Sequence, residues 1–138
     1  MKRILILGGS GFIGNALYRE LSPYFNTYAT YYSGKQFKKN QHFYHFDHTQ
    51  EDVNEVLKKV KPKLIISAVR GPFDDQIDLH QQLIEHCKYF DCRLMFLSAS
   101  NVYDAFHNYP SYEFDKTLSE SVYGRLKIKI ENDIMRLA

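Results

Sequence analysis

RILILGGSGFIGNALYREL, residues 3–21, is the stretch from which the rest of the chain is read. RILIL (3–7) is a continuous apolar run that glycine ends at once, which suits a buried strand. FIGNALYREL (12–21) has the spacing of a helix. Between them Gly8, Gly11 and Gly14 form G-x-x-G-x-x-G. Such a junction has a physical purpose. One glycine turns the chain tightly, another admits a pyrophosphate to the backbone, and a third lets helix pack on strand. The helix start, with Phe12 and Ile13, then offers free N–H groups to the phosphates. A purely structural glycine turn is the plain alternative; the position between strand and helix favours nucleotide binding.

Outward from this junction, short β-rich runs alternate with helical ones. TYATY (27–31), a basic polar loop and HFYHF (42–46) come first. EDVNEVLKKV (51–60) carries Val53, Val56, Leu57 and Val60 on one helical face, with acids early and lysines late as the helix dipole favours. Pro62 stops it. KLIISAV (63–69) predicts a buried strand, DQIDLHQQLIEHCKYF (75–90) a helix, RLMFLSAS (93–100) a strand, and SESVYGRLKIKIENDIMRLA (119–138) a terminal helix. Near-continuous apolar strands alternating with helices predict α/β architecture: a doubly wound parallel sheet of about five strands, order 3-2-1-4-5, in one domain spanning 1–138. Ligands of such a sheet gather at the carboxyl ends of its strands. The long aromatic and polar loop 103–117 is expected to be functional.

The totals narrow the function classes. The 138 residues suffice for one core, and 44% hydrophobic with 25% charged is the composition of a globular protein. A net charge of +2, with Lys and Arg scattered, gives no basis for a nucleic-acid or membrane partner. The start resembles a secretion signal only superficially, because Ile4 to Leu7 is all the apolar run there is before Gly8. Cys87 and Cys92 lack zinc or redox spacing and read as a packed thiol and a loop thiol, reduced in a cytoplasmic protein. Aromatic residues reach 15% without a basic stripe, so they are core and loop. His42, His45 and His48 recur every third residue, but a strand would turn His42 and His45 to opposite faces, so no metal is expected. His80 and Cys87 share a helical face and read as packing.

Dinucleotide sites often carry an acid near the end of the second strand for the adenosine ribose. Here that region reads Tyr31-Tyr32-Ser33-Gly34-Lys35, with no carboxylate. The Ser33 hydroxyl and Lys35 suit a 2′-phosphate, which favours NADP over NAD; a solvated loop is the alternative.

Tyr-x-x-x-Lys occurs at Tyr31/Lys35, Tyr112/Lys116 and Tyr123/Lys127. Only the last lies in a helical pattern, where i and i+4 share a face. Together with it, several motifs in order make the chain similar to the extended short-chain dehydrogenase/reductase superfamily, the NAD-dependent epimerase/dehydratase branch, and within it to the dTDP-4-dehydrorhamnose reductase type. GGSGFIG (8–14) resembles the family's cofactor loop. FDHT (46–49) resembles the acid after the third strand, which implies that Asp47 holds the adenine. PKLIISAV (62–69) resembles P-D-x-V-I-N-A-A, with Ser67 in the Asn place and Ala68 among the cofactor residues. LSASNVYD (97–104) and YEFD (112–115) resemble the fifth-strand end and the Y-x-E-x-D loop. YGRLKIKIE (123–131) resembles Y-G-x-S-K-x-x-x-E.

The resemblance implies an oxidoreductase or epimerase acting on a nucleotide sugar, with Tyr123 as acid/base. Free tyrosine titrates at about 10, and an adjacent ammonium such as that of Lys127 favours the phenolate. In the family the lysine also holds the nicotinamide ribose. A homodimer through helices 75–90 and 117–137 is implied as well.

Two departures stand out. Ala99 occupies the place of the family's Ser/Thr, three before Val102. Ser98 and Ser100 flank it on opposite faces if the strand continues, so a bulge or turn is needed for Ser100 to serve as the third catalytic residue. Leu126 replaces the common Ser before the lysine. The motifs also cover only about the N-terminal half of a family member. The expectation is therefore a cofactor-binding half without its substrate domain, inactive alone and with the fifth strand as an open edge. The other expectation is a non-catalytic nucleotide-binding or regulatory subunit.

Overall fold

Ile4 and Ile6 point to one face of the first strand and Leu5 and Leu7 to the other, and all four are buried. A strand apolar on both sides needs cover on both sides, which is the condition for an all-parallel sheet between helix layers. The computed structural model, which describes residues 2–103, 112, 116–119 and 121–137, has that arrangement. Contacts divide the chain into two compact units, Met1–Leu97 and Ser98–Ala138.

The first unit holds β1 (Arg3–Leu7), α1 (Phe12–Leu21), β2 (Asn26–Tyr31), a 3-10 turn (Lys35–Phe37), β3 (Phe43–His45), α2 (Val53–Val60), β4 (Leu64–Ser67), α3 (Phe73–Tyr89) and β5 (Arg93–Phe96). All strand pairs are parallel, in the order β3-β2-β1-β4-β5, a Rossmann-like sheet. On one face Ile4, Ile6, Ala29, Phe43 and Ile66 pack with Leu17, Tyr18 and Leu21 of α1. On the other, Leu5, Leu7 and Ile65 pack with Val53, Val56, Leu57 and Val60 of α2 and Leu79 and Leu83 of α3. Cys92, expected as a loop thiol, is buried in this second core. A hydrogen bond with Cys87 and its burial push its thiol well above the ordinary range, and the same bond pulls Cys87 down.

Several element boundaries differ from the sequence reading. β4 ends at Ser67 and β5 at Phe96, not at residues 69 and 100. β1 ends at Leu7, so beyond the Leu7↔Ser67 and Ser67↔Phe96 pairings no central strand remains to pair with. α2 starts at Val53 because the Asp52 carboxylate accepts the Asn54 N–H at 2.9 Å and so stands outside the helix as its cap. Its last residue is followed by Lys61 in the left-handed conformation, φ 50°, ahead of Pro62. The helix read at 75–90 runs from Phe73, behind Pro72, to Tyr89.

The second unit contains a 3-10 turn (Ser100–Tyr103) and α4 (Val122–Met135). α4 begins later than expected because Ser121 caps it, its hydroxyl accepting the Gly124 N–H at 2.9 Å. The Leu118 N–H donates to the Val102 carbonyl at 2.8 Å, joining the approach to α4 to the 3-10 turn. Val102, Leu126 and Ile130 are buried.

Candidate functional site

The glycine loop sits at the carboxyl end of β1 and is tied to β2. The Gly8 N–H donates to Thr30 Oγ1 at 3.0 Å, and the Gly9 N–H to the Thr30 carbonyl at 2.7 Å. Gly8 has φ +83°, and a Cβ there would lie 2.6 Å from the Ala68 carbonyl oxygen. A Cβ on Gly14 would drive into the Gly8 carbonyl oxygen. Those two glycines are demanded by the fold. Gly11 is not: its φ is −76°, and the nearest atom to an added Cβ is the Gly8 oxygen at 3.4 Å. It is the N-cap of α1 with no side-chain bond, so the N–H groups of Phe12, Ile13 and Gly14 in the first turn lack a cap. Phe12 and Ile13 are exposed. The result is a concave backbone with orphan donors at a helix N-terminus, a cradle for an anion.

The same carboxyl edge carries the other candidates of this unit. Ala68 follows β4 directly, its N–H on the Leu7 carbonyl at 2.9 Å and its carbonyl against Gly8. Ser33 and Lys35 are exposed in the connection after β2. Asp47 follows β3, and its Oδ1 accepts from Thr49 Oγ1 at 2.7 Å and Thr49 N at 3.0 Å. The Thr49 hydrogen bonds hold its carboxyl below the usual value, so it stays an acceptor. Glu51, read from sequence only as a dipole-favoured acid, folds back over β3. Its Oε1 lies 3.2 Å from His45 Nδ1 and accepts the Asp47 N–H at 3.0 Å.

The three histidines do separate jobs. His42 Nδ1 lies 2.9 Å from the Thr27 carbonyl, His45 pairs with Glu51, and His48 Nε2 is buried without a hydrogen bond. No group of three His, Cys, Asp or Glu able to hold a metal occurs among the described residues. His80 is buried against the sheet, with Nε2 2.8 Å from Ser67 Oγ and Nδ1 2.6 Å from the Gln76 carbonyl. A carbonyl only accepts, so Nδ1 carries the proton and Nε2 accepts from Ser67.

In the second unit α4 brings Tyr123 and Lys127 onto one face. The Lys127 ammonium stands 5.2 Å from the centroid of the Tyr123 ring, within cation–π range. Lys127 is 6% exposed and Tyr123 51%. A buried lysine beside an open phenol is an uncommon arrangement, since lysine ordinarily keeps its ammonium in water. Gly124, Leu126 and Ile130 are also buried, so α4 burial includes the lysine's own stripe.

Residues 4–137 match the family model described as the NAD dependent epimerase/dehydratase family. The chain belongs to this family. A search of curated protein sequences finds no match. Among solved structures, the chain is similar to UDP-glucose 4-epimerase from Brucella ovis in complex with NAD, with TM-score 0.80, 18% identity, 99% of this chain and 47% of that one. It is similar to dTDP-glucose 4,6-dehydratase from Bacillus anthracis in complex with NAD, with TM-score 0.79, 21% identity, 99% and 50% coverage. L-threonine 3-dehydrogenase from Trypanosoma brucei is as similar, with TM-score 0.81, 18% identity, 96% and 47% coverage. At these identities the likeness is one of fold, and the third shows that the fold serves more than one substrate class. The chain spans about half the length of the structures it matches.

For an epimerase/dehydratase family member, the segment after β5 corrects one expectation. Residues 97–100 are not strand, so alternation of faces does not govern Ser98 and Ser100. Ser98 Oγ donates to Glu131 Oε2 of α4 at 3.1 Å. Ala99 accepts the Val102 N–H at 3.2 Å, and Ser100 opens the 3-10 turn. The Ser100 side chain, residues 113–115 of YEFD and loop positions 104–111 lie outside the described residues. No helix among the described residues is long and apolar enough to cross a membrane.

Proposed function

We propose that the chain is the cofactor-binding half of a nicotinamide-dependent enzyme acting on a nucleotide sugar. Gly11 carries this reading. The fold would accept a side chain there, so the open space at the head of α1 is kept for something other than protein. An anion such as a pyrophosphate fits the cradle and the orphan N–H groups of Phe12, Ile13 and Gly14. Asp47 is proposed to accept from the adenine, Ala68 to line the dinucleotide, and Ser33 and Lys35 to meet a 2′-phosphate if NADP is used.

A bound nicotinamide would supply hydride transfer. The chain's own chemistry is proton movement at Tyr123 Oη, with Lys127 providing positive charge beside the ring and a donor for the nicotinamide ribose. Solved relatives that carry NAD and act on UDP- or dTDP-sugars support this class. A 4-keto reductase or epimerase is the proposed type; the likeness to dTDP-4-dehydrorhamnose reductase rests on sequence motifs. Pairing of two copies through α3 and α4 is proposed on the same basis.

Calorimetric titration of the chain with NADH and NADPH tests the reading. Micromolar binding of either supports it; a folded chain that binds neither overturns it. Ala99 favours one second reading, a subunit that binds nucleotide without turnover, because no hydroxyl stands at that position.

A further inference from the structure

The two cysteines meet on the side of the sheet away from the glycine loop. Cys87 lies in the last turn of α3, Cys92 directly precedes β5, and their thiols are hydrogen-bonded to each other. All strands are parallel, so the start of β5 and the carboxyl end of β1 lie at opposite edges. The turn that carries the pair is fixed at several points. The Phe90 N–H donates to the His86 carbonyl at 3.0 Å, and the Cys92 N–H to the Phe90 carbonyl at 2.8 Å. Asp91 Oδ2 stands 3.3 Å from Lys63 Nζ, and the Arg93 N–H donates to the Lys63 carbonyl at 2.9 Å. Thiols already in hydrogen-bond contact are a side-chain movement away from a bond of about 2 Å, not a rearrangement of the chain. The pair is also unequal. Cys87 is half-buried and reachable from water, whereas Cys92 is 9% exposed and belongs to the core of Val60, Leu79 and Leu83. A helix C-terminus disfavours an anion at Cys87. The hydrogen bond from Cys92 favours one, and it prevails, leaving the Cys87 thiol below its ordinary value.

We infer that Cys87 and Cys92 form an oxidisable dithiol, a modification site for hydroperoxides in which Cys87 takes the oxygen and Cys92 resolves it to a disulfide within the chain. The Cys87 thiolate attacks one peroxide oxygen; the O–O bond breaks, and the other oxygen leaves as hydroxide or alkoxide and takes a proton from water. Cys87 is then a sulfenic acid. Cys92 Sγ attacks the Cys87 sulfur, the S–O bond breaks, and the Cys92 proton leaves with the oxygen as water. The two thiols lose two electrons and the peroxide gains them. The product suits its place. A disulfide is apolar and fits the core that Cys92 already occupies, whereas a sulfinate there would bury a charge. Oxidation joins the end of α3 to the start of β5, and the glycine loop at the other edge keeps its geometry.

The test treats the folded chain with a modest excess of hydrogen peroxide, quenches it, and maps its peptides without reduction. A peptide linked through Cys87 and Cys92 of one chain is expected, the thiols disappearing together and returning with dithiothreitol. In Cys92→Ala, dimedone should trap a sulfenic acid at Cys87. In Cys87→Ala the remaining buried thiol should react at least about tenfold more slowly than Cys87 does in the native chain. Thermal melts verify that each variant folds, and the map of the native chain stands without them. Oxidation of either thiol to sulfinic acid without linkage, disulfides only between chains, or thiols that stay unreacted until the chain is denatured would overturn the inference. No nucleotide enters the measurement, so its failure leaves the dinucleotide reading standing.

Discussion

Gly8, Gly11 and Gly14 look equivalent in a motif and are not equivalent in space. On helix propensity alone Gly14→Ala would stabilise α1 by about 1 kcal/mol. The Gly8 carbonyl occupies the place of the new methyl, so the expected outcome is a loss of roughly 1–3 kcal/mol or more, read from urea melts. Gly11→Ser should leave stability within a few tenths of a kcal/mol, since serine is a good N-cap. The same change should weaken dinucleotide binding by about tenfold or more, because its side chain enters the space a phosphate needs. Binding that survives Gly11→Ser unchanged would remove the basis of the proposed function. A motif reading finds such a loop because its members are contiguous, but it cannot separate the glycine kept for packing from the one kept for a ligand. His48 and His86 make a second prediction at this scale. Burial lowers both below 6.5, and for His48 Asp75 and Asp47 offset only part of that. The unfolded chain then binds protons that the native one refuses. Stability should be full above about pH 6.5 and fall as pH drops below it toward the native values. Thermal melts at pH 7.5, 6.5 and 5.5 should show the decline, and it should flatten in His48→Gln; no change across this window would contradict the assignment.

The elements divide by what ends them. β1 and α1 match the sequence reading because glycine ends one and opens the other. α2 and α4 start later than their apolar spacing suggests because Asp52 and Ser121 act as caps, a role that hydrophobic period does not register. β4 and β5 are shorter than their apolar runs, since strand length is set by the partner and β1 stops at Leu7. The Glu51–His45 contact was not legible for the same reason: it depends on how the chain folds back after β3. At the far end of α2, Lys61 holds a left-handed φ of 50° that costs a non-glycine residue about 1 kcal/mol. Lys61→Gly is expected to raise stability by roughly 0.5–1 kcal/mol, measured by denaturant midpoint at constant slope. A decrease would mean that the lysine side chain contributes more than its backbone costs.

At the scale of the molecule, strand order followed from the pattern because parallel strands joined by helices leave few topologies open. The chemistry proposed for α4 is that of enzymes such as the epimerase and dehydratase whose structures the chain matches over about half their length. In such a full-length enzyme Tyr123→Phe should lower kcat by at least about 10²-fold, the usual contribution of a positioned acid/base, with dinucleotide binding retained. Turnover unaffected by the change would exclude Tyr123 from proton transfer. The sheet order has a further consequence, for biosynthesis. β1 lies at the centre, and its register joins Ile4 to Thr27 on one side and to Leu64 on the other. At ribosomal speeds the second neighbour emerges on the order of several seconds after the first strand. Throughout that interval RILIL, apolar on both faces, has at most one partner strand. The nascent chain therefore presents a sticky half-built sheet that a holdase would recognise, and the rate at which β4 arrives sets how long that exposure lasts.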